Sequence, residues 1–420
     1  MKKIIAIIVA ILAIFALAAC AVTPTPEPDN TKAPADATDG TGETGETVDY
    51  SNFKIGVICL HDENSTYDAN FINAIKAVQA KLGLSDSQVI IKTGVDESDA
   101  CYNAAAEMAD AGCKVVFADS FGHEDYMIQA AKEFKNVQFC HATGTKAKVV
   151  NLDNYHNAFA SIYQGRYLAG IAAGMKLNEM IDSGKITAEQ AKIGYVGAWP
   201  YAEVKSGYTS FFLGARSVCP SATMVVTYTN SWFDIAKEKT AAENLIADGC
   251  ALISQHADSE GAPKACEAAN VPNVAYNIDT TPLGPTTALI SSKIDWEPYF
   301  ELIINAAVKG TAIPTDYCGT FATGSVALTK LNESVAAAGT QEAIDAAKAK
   351  LISGELKVFD TSTWTFEGKT LEEYVADVVD NGDFVKETNV IHDGYFDESN
   401  ADQFRSAPYF DFLIDGITEK

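Results

Sequence analysis

Short apolar runs that alternate with amphipathic segments constrain this chain more than any other feature. From Lys54 onward, segments of helical periodicity near residues 67–82, 100–111 and 124–134 separate the runs KIGVICL, QVIIK, KVVFADS and VQFC. Each run is apolar almost without interruption, which is typical of strands that are covered on both faces. Strands of this kind alternating with helices predict βαβ units and a parallel sheet, so the predicted fold class is α/β.

The same pattern begins a second time near residue 156. A long helix is predicted over residues 157–175, and KIGYVGAW then repeats the character of KIGVICL before MVVTYT, ALISQ and NVAYNID continue the series. Two series predict two Rossmann-like lobes: residues 50–155 with about 286–312, and residues 156–285 with about 313–420. Because ligands bind at the carboxyl ends of parallel strands, two facing lobes predict a ligand cleft between them.

The first 49 residues are predicted to lie outside the folded part. Lys2 and Lys3 precede an apolar run over residues 4–17, which is shorter than the roughly 20 residues of a membrane-spanning helix. The run ends in LAAC, a lipobox pattern, so residues 1–20 are predicted to be a lipoprotein signal peptide with Cys20 as the lipidated residue. An ordinary signal peptide is the alternative. Residues 21–49, rich in Pro, Thr, Gly and acidic residues, predict a disordered tether.

Charge and cysteine content exclude several classes of partner. The net charge of −25 argues against nucleic acid and against anionic lipid headgroups as partners. Cysteines other than Cys20, such as Cys59 and Cys140, fall in or beside apolar runs and are interpreted as buried small hydrophobic residues. No CxxC motif or Cys/His cluster indicates a metal site, and no cofactor is predicted.

The residues that follow the predicted strands are unlike ordinary turns. Loops are normally exposed and polar, yet large aromatic residues stand at several strand ends among amide, hydroxyl and carboxylate groups. This combination predicts a pocket that stacks a flat ring and recognises its edge by hydrogen bonds. The candidate residues are Asn64, Ser65, Tyr67, Asn70, Phe121, Trp199, Trp232, Asp258 and Asp279. Ser65 and Asp234 have an alternative role as helix caps.

Several short motifs, in this order, resemble the basic membrane protein family. They are the lipobox, STYDANF, SFGHEDYM, YQGRYLAG, KIGYVG, SWFDIAKEK, QHADS and ISSKIDWEPYF, and they cover residues from about 53 to 309. Members are lipoprotein substrate-binding components of ABC importers, related to the purine-nucleoside receptors of spirochetes. The resemblance implies the periplasmic-binding-protein type I fold, with a nucleoside or purine base held between aromatic residues. By position, Trp232 resembles the aromatic residue that forms one wall of the family's ligand site. Asp279 and Lys293 resemble the residues that make its hydrogen bonds to the ligand.

The resemblance also implies partners and a location. They are a small-molecule ligand, an ABC permease with its ATPase, and the cell membrane through the lipid anchor, with the receptor a monomer outside the cytoplasm. An enzyme is disfavoured because GxSxG, HExxH, P-loop and GxGxxG motifs are all missing from the sequence. A sugar as the ligand, or a surface sensor without transport, stays open as an alternative.

Overall fold

The computed structural model describes residues 48–376, 388–398 and 405–420. The predicted signal peptide, its Cys20 and nearly all of the predicted tether therefore lie outside the described residues. Within the described residues, no helix combines the length and the apolar character needed to cross a bilayer.

The first sheet contains the strands of the first predicted series. They are β1 (Ile55–Ile58), β2 (Val89–Lys92), β3 (Val115–Ala118), β4 (Gln138–Ala142), β5 (Tyr155–Ala160) and β11 (Asp316–Gly319). All pairings are parallel, in the order β11-β5-β4-β3-β1-β2. The helices of this lobe are α1 (Thr66–Leu82), α2 (Asp99–Asp110), α3 (Glu124–Glu133), α4 (Ala147–Val150) and α9 (Glu297–Lys309). Helices α1 and α9 bury one face of the central strands, and α2 and α3 bury the other.

The second sheet repeats this arrangement. Its strands are β6 (Lys192–Gly197), β7 (Thr223–Tyr228), β8 (Leu252–His256), β9 (Asn273–Tyr276), β10 (Ala288–Ile294), β12 (Val326–Leu328) and β17 (Ile417–Glu419). Their order is β12-β10-β9-β8-β6-β7-β17, parallel except between β10 and β12. The helices are α5 (Ile162–Asp182), α6 (Ala202–Val218), α7 (Ile235–Ala247), α8 (Gly261–Ala269) and α10 (Thr340–Ser353).

Helices α5 and α6 pack almost backbone to backbone. A Cβ atom on Gly214 would lie 1.9 Å from the carbonyl oxygen of Tyr167, and one on Gly170 would lie 2.0 Å from that of Phe211. Because real Cβ atoms do not approach so closely, these glycines set the distance between the two helices. The pair covers one face of the second sheet, while α7 and α8 cover the other.

Sheet membership differs from the predicted lobe boundaries at three strands. β5 and β11 lie in the first sheet, although residues 156–285 and 313–420 were predicted to form the second lobe. β10 lies in the second sheet, although residues 286–312 were predicted for the first. Residues 157–160, predicted as helix, instead end β5, because they pair with β4 and β11. The sheet that a strand joins is decided by distant partners, which a local pattern does not contain.

The region after α10 packs on the second lobe but also reaches the first. It contains the short pairs β13 (Val375–Ala376) with β14 (Thr388–Asn389), and β15 (Ile391–His392) with β16 (Tyr395–Phe396). Its aromatic residues, among them Trp364, Phe396 and Phe410, join the core that α5 and α6 form. Ser406 Oγ donates a hydrogen bond to Asp316 Oδ1 over 2.6 Å, which connects this region to β11 of the first sheet.

Candidate functional site

A cavity lies between the two lobes at the carboxyl ends of both sheets. We call it the inner cavity, and its empty volume is about 400 Å³, part of it open to solvent. The first lobe contributes Leu60, His61, Tyr67, Asp68, Ser120, Phe121 and Thr143, and the second contributes Glu203, Trp232, His256, Asp258 and Tyr276. Nearly all of these residues end or follow β1, β3, β4, β7, β8 or β9, where parallel α/β sheets bind ligands.

The aromatic walls of the inner cavity come from both lobes. Tyr67 and Phe121 belong to the first lobe, and Trp232 and Tyr276 to the second. The Tyr67 hydroxyl donates to the carbonyl oxygen of Asp119 over 2.8 Å, and its ring meets Phe71 edge-on at 4.9 Å, so the ring is fixed. The structure therefore brings together Tyr67, Phe121 and Trp232 from the predicted set.

A buried pair of carboxyl groups supports the first-lobe wall. Burial raises the pKa of Asp119 well above its usual value, and the neighbouring Asp68 adds to this rise. For Asp68, hydrogen bonds from His61 and Ser65 outweigh burial and lower the pKa. The Ser65 hydroxyl donates to Asp68 Oδ2 over 2.5 Å, and the His61 amide donates to Oδ1 over 2.8 Å. Asp68 is thus the ionised member of the pair and Asp119 the protonated one.

The same pair lies beside a thiol. Donor atoms of Cys59, Asp68 and Asp119 lie within 4.8 Å of one another, a spacing that a metal ion could bridge. Burial and the charge of Asp119 raise the pKa of Cys59 well above its usual value, so the thiol keeps its proton when no metal is bound. A proton held on Asp119 accounts for the close approach of the two carboxyl groups without a metal.

The second-lobe wall carries Asp258, Glu203 and a neutral histidine. Asp258 Oδ1 accepts from the Asn277 amide over 3.2 Å, and burial, followed by the charge of Glu238, raises the pKa of Asp258 well above its usual value. Glu203 Oε1 lies 3.4 Å from His256 Nε2. Burial and the nearby Arg166 lower the pKa of His256 to about 4, so this imidazole is neutral at pH 7.

A buried guanidinium lies behind this wall. Arg166 is only 1% exposed, its Cζ atom lies 3.4 Å from the centre of the Tyr276 ring, and Nη1 donates to the carbonyl oxygen of Gln255 over 2.9 Å. Cation–π contact with a desolvated Arg holds an aromatic ring firmly. Tyr276 is therefore a rigid part of the cavity wall.

The two lobes touch directly at the cavity. The Thr66 amide donates to the carbonyl oxygen of Asp258 over 2.8 Å, which joins the start of α1 to the loop after β8. The rings of His61 and Phe233 lie 5.3 Å apart, again across the cleft. The structure is therefore a closed arrangement of the lobes.

Three predicted residues of the first loop lie outside the inner cavity lining. Asn64 is exposed and donates to Asp62, and Ser65 caps α1 and binds Asp68. The Asn70 amide donates to the carbonyl oxygen of Ile294 over 2.7 Å. Asn64 and Ser65 are short polar side chains near a helix start, where local partners consume their hydrogen bonds, whereas Asn70 joins α1 to β10 far away in sequence.

Three further predicted residues also lie outside the inner cavity lining. Asp279 is exposed and accepts from the Thr281 amide over 2.9 Å, as a turn residue does. Lys293 lies on β10 with its Nζ atom 3.6 Å from Asp295. Trp199 follows β6 and lines a more open space outside the inner cavity.

Sequence reasoning missed part of the inner cavity. The missed residues are Leu60, His61, Asp68, Ser120, Thr143, Glu203, His256 and Tyr276. Two of these, His256 and Tyr276, are the last residues of β8 and β9, whereas the prediction considered mainly the residues after each strand. Including the final strand residue would have found both.

The chain matches a known family over most of its length. Residues 57–362 match the model of a family described as ABC transporter substrate-binding protein, PnrA-like. The chain belongs to this family. The resemblance to the basic membrane protein family is thereby confirmed. Membership of this family implies a small-molecule ligand, an ABC permease as partner and an extracytoplasmic location.

Two relatives with different named ligands are equally similar to the chain. A purine-binding protein of Brucella abortus is 32% identical over 271 residues, which are 63% of this chain and 73% of that protein. A putative ABC transporter glucose-binding protein of Haloferax volcanii is 32% identical over 266 residues, which are 63% of each chain. Relatedness alone therefore leaves the ligand class to be argued from the site.

Solved structures confirm the predicted fold class. A solute-binding protein of Aeropyrum pernix K1 matches with a TM-score of 0.62 at 15% identity, covering 73% of this chain and 93% of that one. One from Conexibacter woesei matches with a TM-score of 0.59 at 22% identity, covering 73% and 98%. Both are ABC transporter solute-binding proteins, and the fold is the periplasmic-binding-protein type I fold.

Proposed function

We propose that this protein is the receptor of an ABC importer and that its ligand carries a purine ring, as a free base or a nucleoside. The observation that carries the proposal is the inner cavity, where Tyr67 and Phe121 of one lobe face Trp232 and Tyr276 of the other. Aromatic walls of this kind suit a flat ring, and each stacked pair contributes on the order of 1 kcal/mol. The purine-binding relative from Brucella abortus supports the same ligand class.

The edge of the inner cavity suits a ring that both donates and accepts hydrogen bonds. Asp258, with its raised pKa, can donate a proton in a hydrogen bond, while Glu203 offers carboxylate oxygens as acceptors. A purine presents ring nitrogens that accept and N–H groups that donate. Buried polar groups penalise a ligand that leaves them unpaired, so these two residues are expected to set specificity.

Ligand binding is proposed to favour the closed arrangement of the lobes. The Thr66–Asp258 hydrogen bond forms only when the lobes meet, and a ring held between Tyr67 or Phe121 and Trp232 bridges the same gap. A ligand that contacts both lobes binds the closed form better and shifts the equilibrium toward it. The permease would then recognise the closed receptor.

The remaining parts of the proposal rest on the sequence and on the family. The lipobox supports a lipid anchor at Cys20, which would hold a monomeric receptor at the outer face of the cytoplasmic membrane. A solute-binding family and fold support binding without catalysis.

A thermal-shift screen of the protein beginning after Cys20 tests the ligand class. The protein is unfolded and refolded to remove any bound ligand, and is then mixed with purine bases, nucleosides and simple sugars. A ligand at 100 times its dissociation constant should raise the free energy of unfolding by about 2.7 kcal/mol. Stabilisation by adenine, guanine or their nucleosides supports the proposal, and no response to any of them contradicts it.

A sugar is the second candidate ligand. The putative glucose-binding relative from Haloferax volcanii favours it, and carboxyl groups such as those of Asp258 and Glu203 can bind sugar hydroxyls. Stabilisation by glucose, with no response to purines, would select this candidate and leave the importer assignment intact.

A further inference from the structure

A buried glutamate lies behind the second-lobe wall of the inner cavity. Glu238 is on the first turn of α7, its side chain is fully buried, and it is not part of the cavity lining. An ionisable side chain is rarely buried unless it is paired or hydrogen-bonded. The lysines on either side of it pair with other carboxylates, Lys237 with Asp234 and Lys239 with Glu243. The role of Glu238 therefore follows from its hydrogen bonds.

The carboxylate of Glu238 joins two loops of the second lobe. Its Oε1 atom accepts from the backbone amide of Asp234 over 3.1 Å, and its Oε2 atom accepts from the backbone amide of Ser259 over 3.0 Å. Asp234 ends the loop between β7 and α7, and Ser259 belongs to the loop between β8 and α8. One buried carboxylate thus accepts a hydrogen bond from each loop, through a different oxygen.

Both loops carry a residue of the inner cavity. Trp232 belongs to the loop after β7 and Asp258 to the loop after β8, and both residues line the cavity. The Asp258 amide also donates to the carbonyl oxygen of Trp232 over 2.9 Å, so the two loops are bonded to each other at the cavity edge. The position of the Trp232 ring relative to the Asp258 carboxyl group therefore depends on the loops staying together.

A helix cap accounts for only one of the two bonds. A glutamate near a helix start can bond back to the N-cap amide, as Glu238 does to Asp234. The bond to Ser259 leaves α7 and reaches a residue 21 positions along the chain. The start of α8 comes this close because Gly261 has no side chain, since a Cβ atom there would lie 2.4 Å from the carbonyl oxygen of Ile235. Glu238 thus connects two helix starts in addition to capping one.

The charge of Glu238 also acts on Asp258. After burial, the charge of Glu238 is the largest cause of the raised pKa of Asp258. A protonated carboxyl group can donate a hydrogen bond to a ligand, whereas an ionised one can only accept. Glu238 therefore affects the edge of the inner cavity through its charge as well as through the two loops.

We propose that Glu238 is a positioning residue, which holds Trp232 and Asp258 in the arrangement that the ligand requires without touching the ligand itself. This inference rests on the proposed function, because it concerns the same ligand. Without the carboxylate, the amides of Asp234 and Ser259 lose their buried acceptors, and the loops must shift or admit water to satisfy them. Either response moves the Trp232 ring relative to Asp258 and weakens binding.

Calorimetric titration with adenine, guanine and their nucleosides at pH 8 tests this role. Burial raises the pKa of Glu238 to about 7, so its carboxylate is mostly ionised at pH 8. Glu238→Ala should raise the dissociation constant of every purine that wild type binds by about tenfold. In a Trp232→Ala background the same change should raise it by about threefold or less, because the ring that Glu238 positions is already gone. A general loss of stability would not depend on Trp232 in this way.

Two further variants complete the test. Glu243→Ala removes an exposed carboxylate from the same helix and should keep the wild-type dissociation constants. Glu238→Gln keeps the shape and one acceptor oxygen and should raise them by about threefold; it replaces Glu238→Ala if the alanine variant does not fold. A folded Glu238 variant with wild-type affinity, or an equal loss with and without Trp232, would overturn the positioning role. Wild type that binds no purine would instead overturn the proposed function.

Discussion

Replacing Trp232 with Ala should weaken every ligand that stacks in the inner cavity. An aromatic side chain buries 150–250 Å² in all, so one face against a purine removes roughly 50 Å² from water. At about 25 cal/mol per Å² this contributes about 1.2 kcal/mol. Stacking geometry adds about 1 kcal/mol beyond burial. Losing both, about 2 kcal/mol, should raise the dissociation constant about 30-fold.

The fold should tolerate this change. Trp232 is only partly buried at the edge of the second-lobe core, and the bond that the Asp258 amide donates to its carbonyl oxygen belongs to the backbone. The assay is calorimetric titration of the refolded variant with guanine and adenine, after its melting temperature has been compared with wild type. The dissociation constants of Trp232→Phe should lie between those of wild type and those of Trp232→Ala. Phe134→Ala, which removes a half-buried ring at the end of α3 outside the inner cavity lining, is the matched control. A folded Trp232→Ala with wild-type affinity for every ligand would refute the stacking argument.

Three further changes test the edge of the inner cavity, the buried charges and the helix contact. Asp258→Asn should change the order of the affinities for adenine, guanine and hypoxanthine, whereas Asp279→Ala should leave that order unchanged. Competition titrations measure the affinities of both variants. A changed order in Asp279→Ala with an unchanged order in Asp258→Asn would return Asp279 to the site. Burial raises the pKa of Glu238 to about 7, so the folded state holds a proton that the unfolded state loses near pH 4.3, and stability falls as pH rises between these values. Urea unfolding measures the free energy of unfolding at each pH. From pH 4 to pH 8 this free energy should fall by about 3 kcal/mol more in wild type than in Glu238→Gln, and parallel pH curves for the two proteins would contradict the pKa shift. Gly214→Ala should lower the free energy of unfolding by about 2 kcal/mol or more, because overpacking against the Tyr167 carbonyl outweighs the helix propensity of Ala. Ser217→Ala on the same helix is the control. A Gly214→Ala variant as stable as wild type would contradict the close approach of α5 and α6.

The sequence allowed most of the fold to be predicted, because each central strand is buried on both faces and therefore apolar throughout. The predicted helices over residues 67–82, 100–111 and 124–134 correspond to α1, α2 and α3. What failed was the assignment of β5, β10 and β11 to lobes. The chain passes between the sheets after β5, after β10 and again after β11, and these crossings depend on partners far away in sequence.

Of the large aromatic residues predicted near strand ends, Tyr67, Phe121 and Trp232 line the inner cavity, whereas Trp199 does not. Polar residues at equivalent places were less informative, because Ser65 and Asp279 are equally suited to capping a helix or closing a turn. Glu203 could not be found in this way, since only the packing of α6 beside β8 brings it to His256. Large side chains thus report their surroundings better than small polar ones do.

Strand β17 has a consequence for how the protein acquires its structure. It pairs with β7, and the Tyr228 hydroxyl donates a hydrogen bond to the carboxylate of Glu419, 191 residues away in sequence. During synthesis β7 therefore stays an open edge, able to pair with other chains, until the rest of the second lobe has been made. Contacts of such long separation also slow folding. A receptor stripped of ligand by unfolding should need dilute protein and time to recover, and a C-terminal truncation that removes β17 should promote aggregation before it affects binding.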